Sequence, residues 1–228
     1  MAHREPRDER APRPTGVILA GGRASRFGGR PKGLETLGGA RIVDRVAAAL
    51  RAACDPLLLV AHAPDAGDWL PGVRVVGDVH RDMGALGGLH AALWHARAPV
   101  LVVAWDMPFV TPALLDALLA LGRAGARAAL SLHPDGHAEP LCAYYDAACV
   151  REAEALLRAG ERRAAALGGA VGAVMLGGTA LAALGDPRTL LASVNTPDDL
   201  ARAARAYRTA GGVSPEDVSS PSSSAWRT

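Results

Sequence analysis

A glycine- and arginine-rich segment follows the first apolar run of the chain and carries its strongest chemical signal. The segment, LAGGRASRFGGRPKGL (residues 19–34), contains the pairs Gly21–Gly22 and Gly28–Gly29 and the cations Arg23, Arg26, Arg30 and Lys32. Glycines let backbone N–H groups approach a phosphate closely, and the cations neutralise its charge. The spacing fits neither G-x-G-x-x-G nor G-x-x-x-x-G-K-[ST], which disfavours a dinucleotide fold and a P-loop NTPase. Composition alone would also fit a flexible Gly/Arg loop.

Lys32 favours phosphate binding over a merely flexible loop. The chain has 25 basic residues, and Lys32 is the single lysine among them. A lysine presents a compact point charge to a phosphate, whereas an arginine presents a planar fork. One lysine kept within a glycine-rich segment therefore predicts a phosphate contact at that position.

Two aspartates come directly after apolar runs. Asp106 lies just beyond the run 100–104, and Asp78 lies just beyond the run 73–76. A carboxylate that faces a phosphate-binding segment can hold a Mg²⁺ ion that bridges phosphate oxygens, so Asp106 is a candidate magnesium ligand. The alternative for each aspartate is a turn or helix-capping role. The segment 84–88 (GALGG) likewise either presents N–H groups to an anion or nucleobase or only allows tight packing.

The histidines and cysteines offer no comparable site. His90 and His95 are five residues apart, and His133 and His137 flank a predicted turn. Neither pair comes with an evident third ligand, so the sequence does not predict a metal site there. No G-x-S-x-G elbow or Cys–His pairing is present. A phosphate segment and one metal carboxylate, without a protein nucleophile, favour phosphoryl or nucleotidyl transfer.

The elements that must position these residues alternate along the chain. The predicted strands are residues 16–20, 57–60, 73–76, 100–104, 128–132, 140–144 and 190–194, and the predicted helices are 42–53, 86–96, 112–121, 147–159 and 197–207. Thr111–Pro112 and Thr196–Pro197 are typical of helix starts. Continuously apolar strands between helices predict a three-layer α/β sandwich with a mostly parallel sheet. Ligands bind such sheets beyond the carboxyl ends of the strands, where the strand order reverses.

Composition excludes several other classes of protein. A net charge of +2 and an aromatic content of 4% disfavour a nucleic-acid partner. No apolar run approaches the roughly 20 residues needed to cross a membrane, and the N-terminus lacks the apolar region of a signal peptide. Cys54, Cys142 and Cys149 have no C-x-x-C spacing, which argues against disulfides and structural zinc. The expected location is therefore the cytoplasm.

The two ends of the chain differ in composition from its middle. Residues 1–13 are rich in Arg, Glu and Pro, and residues 211–228 are rich in Gly, Ser and Pro. Neither end can bury enough apolar surface to fold, so both are predicted to be disordered tails. Residues 14–210 contain no linker and no repeat, and we expect them to form one domain.

Four sequence blocks resemble the molybdenum cofactor guanylyltransferase family of MobA-like nucleotidyltransferases. The blocks are GVILAGGRASRFGGRPKGL, WDMPFVTPALL, EPLCAYY and SVNTPDDL, and the resemblance spans about residues 15–207. It implies a Rossmann-like α/β sandwich with a mixed sheet, as in nucleotide-diphospho-sugar transferases. The implied reaction moves GMP from GTP to the terminal phosphate of the molybdenum–molybdopterin cofactor, with Mg²⁺, and releases pyrophosphate. Cofactor-delivery proteins and molybdoenzymes are further partners that the resemblance suggests.

The resemblance also implies roles for individual residues. Nucleotide binding would fall to Leu19, Ala20, Gly21, Gly22, Lys32, Asp78, Asp106 and Asn195, with Lys32, Arg26 and Asp106 also catalytic and Asp106 the Mg²⁺ ligand. The chain departs from the family pattern at three places: Pro31 replaces a frequent aspartate, and Ser193 and the Ala61–His62 region replace asparagines. The last two departures bear on base choice and pterin recognition.

Two alternatives to guanylyl transfer remain open from the sequence. One is a related nucleotidyltransferase that uses CTP or another phosphate acceptor, since fold does not decide substrate. The LAGG form of the first block favours guanine. The other alternative is a nucleotide-binding module without turnover, against which the retention of both Lys32 and Asp106 argues.

Overall fold

A seven-stranded sheet with the order β5-β4-β1-β6-β8-β7-β9 forms the centre of the computed structural model, which describes residues 13–21 and 31–209. The strands of the described part are β1 (Thr15–Ala20), β2 (Thr36–Leu37), β3 (Ala40–Arg41), β4 (Leu57–Ala61), β5 (Arg74–Val76), β6 (Val100–Ala104), β7 (Ala128–Leu132), β8 (Ala138–Tyr145) and β9 (Val174–Leu176). The helices are α1 (Ile42–Ala53), α2 (Gly84–Ala96), α3 (Pro112–Arg123), α4 (Val150–Arg158), α5 (Ala165–Val171), α6 (Gly178–Ala182), α7 (Pro187–Leu190) and α8 (Pro197–Thr209). Strands β2 and β3 form a separate hairpin.

The central strands are apolar along their whole length because helices cover both faces of the sheet. Every residue of β1 and of β6 is buried. Ile18 faces the core layer formed with α1 and α3, whereas Val17 and Leu19 face the layer formed with α2, α4 and α5. Burial of apolar side chains in both layers is the main stabilising contribution to such a sandwich. The predicted three-layer α/β fold is confirmed.

The strand order reverses between β1 and β6. Strand β1 pairs in parallel with both β4 and β6. Strand β5 lies beyond β4 on one side, and β8, β7 and β9 lie beyond β6 on the other. Only β8 runs antiparallel to its neighbours β6 and β7, so the sheet is mixed but mostly parallel. Leu19 lies in register with Ala104, and the N–H of Trp105 donates to the carbonyl of Leu19 over 3.1 Å. The segments that follow β1 and β6 therefore leave the sheet side by side.

The helix starts predicted from Thr–Pro pairs are confirmed. The Thr111 hydroxyl accepts a hydrogen bond from the N–H of Leu114, and Pro112 occupies the first turn of α3. At α8 the Thr196 hydroxyl accepts from the N–H of Asp199 over 3.1 Å. Each threonine satisfies an N–H group that a helix end leaves without an intrahelical partner.

One predicted strand is wrong. Residues 190–194 contain the end of helix α7 followed by irregular chain. The carboxylate of Asp186 accepts from the N–H groups of Arg188 and Thr189, and Pro187 lies in the first turn, so the local residues start a helix. The apolar residues after it are buried one by one against the core, and the N–H of Val194 donates to the carbonyl of Asp106. The apolar spacing thus reflected burial without sheet pairing.

Other short elements were not predicted from the sequence. The β2–β3 hairpin, strand β9 and helices α5, α6 and α7 are each seven residues long or less, which leaves too few periods of a hydrophobic pattern to identify them. The predicted helix 147–159 begins as a 3₁₀ turn at Ala147–Cys149, because the Asp146 carboxylate caps the N–H of Ala148. The proposed terminal tails lie outside the described residues, apart from Arg13.

Two helical glycines are expected to respond oppositely to alanine. A Cβ on Gly122 would overlap the buried ring of Tyr144, whereas a Cβ on Gly169 would meet nothing within 4 Å. Gly122→Ala should therefore lower the free energy of unfolding by about 1–3 kcal/mol through overpacking. Gly169→Ala should raise it by up to about 1 kcal/mol through helix propensity. Urea denaturation of both variants checks this, and equal effects would contradict the packing of α3 on β8.

Candidate functional site

A cleft of about 1070 Å³ opens beyond the carboxyl ends of β1, β4 and β6, where the strand order reverses. Most of the residues predicted to bind nucleotide line it: Leu19, Ala20, Gly21, Lys32, Asp78 and Asp106. Gly22 and Arg26 lie outside the described residues. The prediction that the carboxyl ends of the strands form the ligand site is consistent with the position of this cleft.

Lys32 and Asp106 both line the cleft, and Asn195, which does not line it, contacts Lys32. The Lys32 ammonium forms a short salt bridge with Asp106 Oδ2 and donates to Asn195 Oδ1 over 2.6 Å. These partners are 74 and 163 residues away along the chain. The Lys32 side chain is 19% exposed and that of Asp106 is 7% exposed. Three residues that sequence reasoning singled out separately therefore form one polar cluster, the Lys32–Asp106–Asn195 cluster.

A 3₁₀ turn positions Lys32. Pro31, which departs from the family pattern, begins this turn, and its carbonyl accepts from the N–H of Leu34 over 3.0 Å. Gly33 lies flat against the indole of Trp105, which leaves no room for a Cβ. Trp105 in turn stacks on Trp69 at 5.0 Å between ring centroids. Sequence reasoning missed Gly33 and Trp105 as supports, because only the tertiary contact reveals why a glycine follows the lysine.

The segment that carries Asn195 is tied to the chain around Asp106. The N–H of Val194 donates to the Asp106 carbonyl over 2.8 Å, and the N–H of Asn195 donates to Asp199 Oδ2 over 2.9 Å. Burial raises the pKa of Asp199. The hydrogen bonds from Asn195 and Thr196 and the charge of Arg202 together lower it by more, so the pKa lies below its ordinary value. Asp199 therefore stays ionised and holds Asn195 at the start of α8.

Asp78 also lines the cleft, and His62 is its polar partner. Its Oδ2 is 2.9 Å from His62 Nε2, and its side chain is only 10% exposed. Gly87 and Gly88 of α2 lie beside this carboxylate, since a Cβ on either would be at ordinary contact distance from it, 3.6–3.7 Å. His62 lies in the region where the family often has asparagine, and here it supplies the polar partner of Asp78.

Two arginines that sequence reasoning did not assign also line the cleft. Arg81 follows Asp78 by three residues, and Arg162 belongs to residues 160–163, whose sequence is GERR. The guanidinium of Arg163 and the N–H groups of Arg163 and Arg162 lower the pKa of Glu161 to about 2. Glu161 therefore closes a local turn, and the Arg162 carbonyl accepts from Leu86 N at the start of α2. The two adjacent arginines of this segment were the feature of the sequence that could have predicted a positive charge at the cleft.

The fold and the site are those of the α/β class of nucleotidyltransferases. The mostly parallel sheet, the cleft at its switch point and the lysine–aspartate pair beside a glycine segment all agree with that class. Residues 16–172 match the model of the MobA-like NTP transferase domain, and the chain belongs to this family. The resemblance noted from the four sequence blocks is confirmed.

Individual relatives agree with this family. The chain is 37% identical over 190 residues to a protein of Pelotomaculum thermopropionicum named "Probable molybdenum cofactor guanylyltransferase", with 83% of this chain and 91% of the relative covered. It is 36% identical to the molybdenum cofactor guanylyltransferase of Pseudomonas aeruginosa, with 81% and 91% covered. The crystal structure of molybdopterin-guanine dinucleotide biosynthesis protein A from Archaeoglobus fulgidus superposes with a TM-score of 0.72 at 27% identity, covering 86% of this chain and 99% of that one.

The lengths and composition of the helices can also be compared with what a membrane span requires. Among the described residues, none of the helices combines the length and the apolar character that a membrane span requires.

The Lys32–Asp106 salt bridge should contribute measurably to stability because both side chains are largely shielded from water. In a double-mutant cycle with Lys32→Met and Asp106→Asn, we expect a coupling free energy of about 1–3 kcal/mol. The exposed Arg127–Glu152 pair, whose side chains are 44% and 32% exposed, is the matched control and should show the smaller coupling. Urea denaturation gives both values. A coupling no larger than that of the control would show that the two charges do not hold the cluster together.

Proposed function

We propose that the protein transfers GMP from GTP to the terminal phosphate of the molybdenum–molybdopterin cofactor, forming the guanine dinucleotide cofactor and pyrophosphate. The observation that carries this proposal is the Lys32–Asp106–Asn195 cluster, whose lysine and aspartate line the switch-point cleft. The names of the two guanylyltransferase relatives and of the archaeal structure support the choice of reaction.

The chemistry is a direct in-line displacement. An oxygen of the acceptor phosphate attacks the α-phosphorus of GTP, the bond between the α-phosphorus and its bridging oxygen breaks, and pyrophosphate leaves. A phosphate monoester is already largely anionic near pH 7, so the step requires no protein base. The protein contributes position and charge stabilisation, which suffice for this kind of transfer.

Lys32 is the residue best placed to bind the triphosphate. It is held at the cleft by Asp106 and Asn195, so its charge is already positioned when a nucleotide arrives. Gly21 directly follows β1 and lines the cleft, and among the described residues an added Cβ would meet no atom within 4 Å beyond its chain neighbours. Arg26, in the part of the chain that is not described, is proposed to add positive charge.

The donor atoms around Asp106 fit a Mg²⁺ ion. Asp106 offers a carboxylate and Asn195 an amide oxygen, and hard oxygen ligands are those that Mg²⁺ prefers, together with phosphate oxygens and water. When bound, the ion would neutralise the charge of the triphosphate near the α-phosphorus. Asp106 is the main protein ligand in this proposal, since few protein carboxylates are needed once the nucleotide supplies oxygens of its own.

Other residues that line the cleft are proposed to hold the base and the acceptor. Asp78 with its partner His62 provides an acceptor of hydrogen bonds for a base or ribose. Arg81 and Arg162 bring two positive charges to the same cleft, which suits an anionic phosphate acceptor. Both arginines come from segments that pack at the start of α2.

The proposal predicts a preference for the guanine nucleotide. With Mg²⁺ present, GTP should bind at least about tenfold more tightly than CTP, ATP or UTP, because a site that hydrogen-bonds one base edge leaves polar groups unpaired with another base. Isothermal titration calorimetry of the four nucleotides measures this directly. Equal affinity for GTP and CTP would remove guanylyl transfer while leaving the family and the fold intact.

Asp106→Asn separates the metal role from a structural one. The substitution keeps the size of the side chain but removes its charge, so transfer should fall on the order of 10²-fold or more. Nucleotide binding without metal should be unchanged or tighter, because a carboxylate repels the triphosphate when no cation lies between them. Asp116→Asn, on the exposed side of α3, is the matched control and should transfer normally. Normal transfer by Asp106→Asn, whatever its melting temperature, would show that this aspartate is not the metal ligand of the reaction.

A further inference from the structure

His80, His90 and Glu154 form a compact cluster outside the Lys32–Asp106–Asn195 cluster. They come from three parts of the chain: the segment between β5 and α2, helix α2 and helix α4. Glu154 Oε2 lies 2.8 Å from His80 Nε2 and 2.9 Å from His90 Nε2. One potential ligand atom from each residue lies within 4.8 Å of the others. The sequence offered no third ligand for His90 and His95, whereas the fold brings His90 together with His80 and Glu154.

His90 has no hydrogen bond that would explain its burial. Its side chain is 0% exposed, and neither ring nitrogen has a hydrogen-bond partner of suitable geometry among the described residues. Nε2 lies 2.9 Å from the Glu154 carboxylate, but the angle between them does not allow a hydrogen bond. A buried polar group without a partner costs about 1–3 kcal/mol, so such groups call for a specific explanation.

We propose that His80, His90 and Glu154 bind a divalent transition-metal ion of the Zn²⁺ class. Two imidazoles and one carboxylate are a ligand set that zinc accepts, with a fourth position left for water. The oxygen-rich donors at Asp106 suit Mg²⁺ instead, so the two sites select different ions. A bound ion would give the lone pair of His90 Nε2 the partner that it lacks.

The Glu154 oxygen lies near the distance from each histidine nitrogen that one shared ion requires. Zinc bonds of roughly 2.0–2.1 Å in a tetrahedral site separate neighbouring ligand atoms by about 3.3 Å. The carboxylate oxygen of Glu154 is slightly closer than that to both histidines, so a modest rotation of its side chain makes room. Arg158 donates to the other oxygen, Oε1, over 3.0 Å and leaves Oε2 for the metal. Partners of this kind orient the ligands of metal sites.

The site is accessible to an ion from solution. His80 is 39% exposed and Glu154 is 25% exposed, whereas His90 closes the inner side. Trp94 lies over the His90 ring at 5.9 Å between centroids. Solvent therefore reaches the cluster from the side of His80, and the apolar packing around His90 shields it from the other.

A metal here would stabilise one wall of the cleft. His80 follows Asp78 by two residues and precedes Arg81, and both of these line the cleft. An ion that joins His80 to α2 and α4 would hold this segment in place. Its role is thus structural, and it does not depend on which nucleotide the cleft binds.

Metal titration of the full chain tests the proposal without any substrate. The chelator-treated protein, with millimolar Mg²⁺ present to fill oxygen sites, is titrated with Zn²⁺ and with Co²⁺. We expect one Zn²⁺ per chain with a Kd of about 1 µM or below. We also expect the strong visible absorption of four-coordinate Co²⁺ and a higher melting temperature with Zn²⁺.

Variants identify the ligands. His80→Ala and Glu154→Gln alter partly exposed side chains, and each should weaken Zn²⁺ binding by about 100-fold or more and abolish the Co²⁺ spectrum. His137→Ala is the matched control, because His137 stacks on His133 at 3.9 Å on an exposed turn. Its Zn²⁺ affinity should equal that of the wild type.

Several results would overturn the proposal. One is a wild-type protein that binds no Zn²⁺ at micromolar concentration, which would make the cluster a His–Glu ion-pair network only. Another is unchanged binding in both His80→Ala and Glu154→Gln, or binding that is lost in His137→Ala. Because the measurements use no nucleotide, they remain interpretable even if GTP proves to be the wrong substrate.

Discussion

The salt bridge between Lys32 and Asp106, together with the hydrogen bond from Lys32 to Asn195, brings three distant parts of the chain together. Two charges in a largely shielded position are stable only when each has its partner, because removal from water is costly for an unpaired ion. The lysine comes from the turn after the glycine segment, the aspartate from the end of β6, and Asn195 from the start of α8. This cluster therefore connects an early and a late part of the chain, at Lys32 and Asn195, near the switch point of the sheet.

The layers around the sheet make this arrangement rigid. Strands β1 and β6 are buried on both faces, so the points where they end are set by the apolar cores on either side. Trp105 continues this packing beyond the sheet, since its backbone N–H donates to the Leu19 carbonyl and its ring packs on Gly33 and Trp69. The polar groups proposed to act on a phosphate are thus held by apolar packing behind them, as preorganised charge stabilisation requires.

Helix α2 connects the nucleotide cleft with the proposed metal site. Its first turns face Asp78 through Gly87 and Gly88, and its middle carries His90. The segment before it contains Asp78 and His80, which face the cleft and the metal cluster respectively. Helix α2 thus contributes both to the cleft wall and to the histidine cluster, and the two sites are proposed to bind different ions.

The sequence alone determined the layered α/β fold, most of the strands and long helices, and the residues after the strands as the place of the site. These follow from local patterns: continuous apolar runs, Thr–Pro helix starts, and a glycine segment with a single lysine. Tertiary structure decided that residues 190–194 are not a strand, that Gly33 packs on Trp105, and that His90 meets His80 and Glu154 instead of His95. Those outcomes depend on contacts between residues far apart in the chain, and no local spacing encodes which buried surfaces will meet.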